Sequence, residues 1–88
     1  MHEGFHPNSW LAWMRNVESG LRARTLILAA LENRDDTAAG LASRTDMRYE
    51  RVLRHLHLLE GSRVIGKDTT NRPYTWSLTG LGQMRLTQ

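Results

Sequence analysis

Arg48, Arg51 and Arg54 recur at every third position, interleaved with Tyr49, Glu50 and Leu53 and followed by His55 and His57. A guanidinium presents a planar fork of donors that suits phosphate oxygens and the acceptor edge of guanine. Arginine dominates the basic residues, eleven to the single Lys67, and its placement is uneven. Residues 1–39 hold four arginines against five acids, whereas residues 40–88 hold seven arginines and Lys67 against four acids. A basic half on a chain of 88 residues points first to nucleic acid as a partner.

Other constellations are thin. His55 and His57 stand two apart, so a helix turns them to different faces and they cannot share a metal ion. His2 and His6 have the i, i+4 spacing of a ligand pair, but they precede Pro7 near the chain end, where fraying is expected. Asp35 and Asp36 are adjacent acids between apolar segments, a place where acids serve solvation and capping. The chain has no Gly-rich phosphate loop, no matched carboxylate pair and no nucleophile motif. The absence of cysteine removes thiolate ligands and disulfides. Neither catalysis nor a metal or other cofactor is expected.

Positioning the arginines requires a scaffold, and the length fits one small domain spanning residues 1–88. Trp10, Trp13, Met14 and Val17 follow the i, i+3, i+4, i+7 pattern, which predicts a helix over 8–19 capped by Asn8 or Ser9 and ended or bent at Gly20. Leu21, Ile27, Leu28 and Leu31 predict a second helix over 21–33, followed by a turn at 34–36. Thr37 leads into a short helix through Leu41 and Ala42, and Thr45-Asp46 makes a turn. Val52, Leu56 and Leu59 predict a helix over 48–60 that ends at Gly61. The period then changes to two. Residues 64–67 and 73–78 read as strands around a polar loop, with Tyr74, Trp76 and Leu78 alternating with Thr75 and Ser77. Thr79 is placed to cap a last short helix carrying Leu81, Met84 and Leu86.

Two short helices across a tight turn, then a basic hairpin, are the order of a winged helix-turn-helix. The stretch 40–61 resembles the helix-turn-helix of ArsR-type and MarR-type transcriptional regulators, through Leu41-Ala42, Val52, Arg54-His55-Leu56 and Leu59. The stretch 72–79, Arg-Pro-Tyr-Thr-Trp-Ser-Leu-Thr, resembles the second wing strand and the Leu-Thr that often follows it. The resemblance covers about residues 21–81. It departs from the family at Asp46, where the turn usually has Gly, and at Arg48, Tyr49, Glu50 and Arg51, where small polar residues are usual. The Cys-x-Cys metal motif of the ArsR type is absent.

The resemblance implies a mainly α domain with a small β wing that binds double-stranded DNA in sequence-specific fashion as a homodimeric transcriptional regulator. Helix 48–60 would lie in the major groove, where each base pair presents a distinct pattern. With Val52, Leu56 and Leu59 inward, Tyr49, Glu50, Leu53, Arg54 and His57 face outward, flanked by Arg48 and Arg51. Arg54 suits guanine, Glu50 a cytosine amino group and Leu53 a thymine methyl. Lys67 and Arg72 suit the backbone or minor groove. Trp10, Trp13, Met14 and Val17 form the expected dimer face, shared with packing on the second helix. The rival functions are a winged-helix protein–protein module and a nonspecific architectural or RNA-binding protein. No apolar run approaches the ~18 to 20 residues of a membrane span, and residues 1–7 lack the order of a signal peptide. A cytoplasmic protein with no membrane partner is expected.

Overall fold

Apolar stripes at helical spacing converge on one core in the computed structural model, which describes residues 5–81. Ile27, Leu28 and Leu31 come from α1 (Glu18–Asn33), Leu41 from α2 (Ala38–Thr45), and Val52, Leu56 and Leu59 from α3 (Tyr49–Gly61). Val64, Ile65 and Trp76 close the core from the sheet side. Burying each large aliphatic side chain contributes ~1.5 to 3 kcal/mol, so these stripes decide how the helices pack. The sheet is antiparallel and has three strands in the order β1-β3-β2, with β1 at Asp36–Thr37, β2 at Ile65–Asp68 and β3 at Thr75–Leu78. The described residues therefore form a small α/β domain built on α1, α2, α3 and one sheet.

The helix pair that carries the arginines is fixed by local chemistry. Thr37 caps α2, its hydroxyl accepting from the Gly40 amide at 3.0 Å. Asp46 ends α2 in the left-handed region, with φ 57° and ψ 41°. That conformation explains the missing glycine in the turn, because Asp is among the few side chains that adopt it. Arg44 binds Asp36 Oδ2 at 3.0 Å and the Ala30 carbonyl at 2.6 Å, tying α2 to the end of α1. Burial raises the Asp36 pKa, but the Arg44 hydrogen bond, the Thr37 amide and the charges of Arg44 and Arg34 outweigh it and hold the carboxyl below its ordinary value.

Several boundaries differ from expectation: α1 begins at Glu18 rather than at 21, and α3 is shifted by one residue. The predicted turn at 34–36 gives Asp36 to a strand, paired with Trp76, while Thr37 pairs with Thr75. The first hairpin strand starts and ends one residue later than read, the second is two residues shorter, and Lys67 stands opposite Trp76. Thr79 donates its hydroxyl to the Arg63 carbonyl at 2.6 Å, so its side chain clasps the base of the hairpin. Gly80 and Leu81 are helical, while Met84 and Leu86 of the expected last helix lie outside the described residues.

The predicted helix over 8–19 does not form. Pro7–Ser9 makes a single 3-10 turn, and residues 10–17 run as a folded strap over α1. Its geometry comes from side chains that capture the backbone, a known competitor of helix. His6 Nδ1 accepts from the Asn8 amide at 3.0 Å, which leaves Nε2 to donate to Glu32 at 2.6 Å. Asn16 accepts from the Leu11 amide and donates to the Leu11 carbonyl, both at 2.8 Å. The buried residues of the turn and strap are Asn8, Ser9 and Leu11, none of which belongs to the predicted apolar stripe. Gly20 does not end a helix either; it lies in the first turn of α1.

Candidate nucleic-acid interface

With Val52, Leu56 and Leu59 fully inward, α3 presents Glu50, Arg54 and His57 on its outer side. Arg48 is the exposed N-cap residue of this helix, and Tyr49 is 47% exposed. Leu53 departs from the expected outward set. It is half-buried and packs against the core, because its position on the helix turns it toward the sheet.

The structure sorts the candidate residues onto two flanks of α3. On the sheet side, Tyr49, Leu53 and His57 line a cleft of about 360 Å³ that Lys67, Arg72 and Trp76 close from the hairpin. The hairpin cations stay exposed but rest on rings. Lys67 Nζ lies 5.6 Å from the Tyr74 ring centre and 5.5 Å from that of Trp76, and the Arg72 guanidinium lies 5.2 Å from Tyr74. Contacts of this kind are worth ~0.5 to 1 kcal/mol each at exposed sites, enough to bias the side chains without withdrawing their charge. His57 adds a tilted ring contact to Trp76 at 5.9 Å.

On the other flank, Arg51 and Arg54 share a second cleft, of about 330 Å³, with Arg15, Met14 and Val17 of the strap. Its inner wall is Arg24 of α1, which is 2% exposed. Arg24 donates Nε to the Ser9 carbonyl at 2.6 Å and Nη2 to Asn16 Oδ1 at 3.1 Å, and it places Nη1 3.3 Å from His55 Nδ1. Burial and the charge of Arg54 lower the Arg24 pKa from its ordinary value. His55 is buried as well. Its pKa falls to about 4, first through burial and then through the charges of Arg24, Arg51 and Arg54. Arg51 also donates to the Ser19 carbonyl at 3.0 Å.

Arg24 is the residue that sequence reading missed. The signal was present, since Arg24 falls on the same stripe as Leu21, Leu28 and Leu31. A guanidinium in the middle of an apolar stripe has to be held by acceptors, and here the 3-10 turn, the strap and α3 supply them.

The expected dimer face is not a helix face. Trp10 is half-buried and meets Phe5 edge-on at 6.4 Å. Trp13 is 52% exposed, and its ring lies over the end of α3, where a Cβ on Gly61 would stand 3.3 Å from it. Met14 and Val17 are exposed at the rim of the arginine cleft. The strap thus separates the two tryptophans that a helix would have aligned.

Comparison of the chain with protein-family models, with curated proteins and with solved structures returned no match. Among the described residues no helix is long and apolar enough to cross a membrane, and no three His, Asp or Glu side chains cluster to hold a metal ion.

Proposed function

We propose that this chain is a winged-helix domain that binds duplex DNA in sequence-specific fashion, as a homodimeric transcriptional regulator. The observation that carries the reading is the outer side of α3. Its inward stripe is consumed by the core, while Glu50, Arg54 and His57 stand exposed between Arg48 and Arg51 and the cations of the β2–β3 hairpin. A helix so dressed enters the major groove with base-reading groups at its centre and phosphate-binding groups at both edges. Arg54 reads a guanine edge, and Lys67 and Arg72 meet the backbone beside it. Leu53, being half-buried, contributes to the shape of the cleft more than to base contact.

The test is selection of bound sequences from a random duplex pool, followed by binding of the preferred site. Arg54→Ala should weaken that site by roughly 1 to 3 kcal/mol and relax preference at one base position. Equal weakening of every sequence would assign Arg54 to phosphate. Absence of any duplex binding at low salt would favour the second reading, a protein–protein module. The apolar floor of the sheet-side cleft, with Tyr49, Leu53 and Trp76, is the observation on its side.

A further inference from the structure

The cleft between the strap and α3 carries an imbalance of charge among the described residues. Arg15, Arg51 and Arg54 converge on it, and Arg24 forms its buried inner wall. Among the described residues, none of the side chains lining it is a carboxylate, and the described ion pairs engage Glu18, Glu32 and Asp36 with partners elsewhere. Among the described residues this buried cation is held by a carbonyl, an amide oxygen and an imidazole, which satisfy its hydrogen bonds but supply no counter-charge. Such a charge is costly to desolvate, and proteins ordinarily pair it. Two further features fit an occupant of opposite sign. Gly20 lies on the cleft, and a Cβ there would come within 2.9 Å of Arg24 Nη1, so the absent side chain leaves room for the guanidinium at the cleft wall. The imidazole of His55 is held neutral first by burial and then by the charges of Arg24, Arg51 and Arg54, which meet at this point.

We infer that this cleft is a binding site for a phosphoryl group, with Arg15 and Arg51 as its outer clamp, Arg54 at its rim and Arg24 as its inner wall. Guanidinium forks recognise tetrahedral oxyanions through paired charge-assisted hydrogen bonds, and three exposed forks around one buried one give that geometry. The phosphoryl group is supplied either by a nucleic-acid backbone running past α3 or by a small phosphate ester. In the first case the inference rests on the DNA-binding reading and extends it, placing a backbone phosphate on the flank opposite the hairpin; in the second it stands without that reading.

The experiment is an amide and guanidinium NMR titration of the full chain, first with inorganic phosphate and then with a short random-sequence duplex. Inorganic phosphate should shift the amides of Ser19 and Gly20 and the Arg24 Nε signal. Arg15→Gln and Arg51→Gln, both at exposed positions, should each weaken that response by about tenfold. Arg51→Lys, which keeps the charge, should recover part of it. A response to the duplex but not to inorganic phosphate, with the same variants affected, would assign the site to the nucleic-acid backbone. No shift of Ser19, Gly20 or Arg24 with either probe overturns the inference. If the duplex then still shifts Tyr49, Glu50 and His57, the DNA-binding reading survives its loss.

Discussion

An imidazole placed against a buried guanidinium has to stay neutral, and for His55 that neutrality makes the fold sensitive to acid. Its proton affinity is lowered so that it titrates near pH 4, through burial first and the charges of Arg24, Arg51 and Arg54 after it. In the unfolded chain a histidine takes up its proton near pH 6.5. Between those two values the unfolded state binds a proton that the folded state refuses, so stability falls as the pH drops from about 6.5 to about 4. The loss from this one group is on the order of 2 kcal/mol. His55→Gln keeps an amide within reach of Arg24 but cannot titrate. Urea unfolding at about pH 7 and about pH 4.5 should therefore show a smaller acid loss in the variant than in the wild type. Equal losses would assign the acid sensitivity to other groups. Asp36 works in the same direction at lower pH, since its depressed carboxyl pKa gives stability that disappears as protonation breaks its pair with Arg44.

Elements differ in how far their own residues announce them. The α2–α3 pair was legible because Val52, Leu56 and Leu59 repeat at helical spacing and because the cap at Thr37 and the turn at Asp46 are local. The hairpin was legible from the alternation around Trp76, apart from its partner β1, where two polar residues give no pattern to read. The strap was not legible. Trp10, Trp13, Met14 and Val17 have helical spacing, yet Arg24 reaches Ser9 across 15 positions and His55 across 31, and no periodicity encodes such contacts. The same holds for the candidate site. Most of the outward residues of α3 followed from its buried stripe, Leu53 being the exception that packs against the core, whereas their division between two clefts depends on the rings of the hairpin and on the strap. Val17 offers a test at this scale. It occupies the N-cap position of α1 with φ −96° and ψ 155° and makes no side-chain cap. Val17→Asp should stabilise the fold by about 1 kcal/mol, because a carboxylate there accepts from first-turn amides and complements the helix dipole. The same carboxylate sits at the rim of the arginine cleft and should weaken its response to inorganic phosphate. Thermal melts of dilute protein check the first effect, and a lower melting temperature would place the Val17 side chain in a packed contact.

Assembly is the question for the whole molecule. Trp13, Met14 and Val17 leave a large apolar area in water, at 52%, 38% and 51% exposure, on a strap that spans from α1 to the end of α3. Exposed apolar clusters on small domains mark contacts with another molecule. A single helix-turn-helix reads only a short half-site, and a two-fold pair on a near-palindrome is how such units gain affinity and specificity. A second copy of this chain, docked strap to strap, would bury these three side chains and set the separation of the two α3 helices. Trp10, already half-buried against Phe5, would lie outside the contact. Light scattering over a dilution series should then show a dimer for the wild type, with dissociation at much higher concentration for Trp13→Ala and for Met14→Ala. Circular dichroism should show both variants folded, because the core that fixes α2 and α3 includes neither side chain. A wild-type protein that stays monomeric at high micromolar concentration, with and without duplex, would remove the dimer. On the DNA-binding reading each α3 would then act alone, and the exposed ring of Trp13 would serve only to cover Gly61 at the end of that helix.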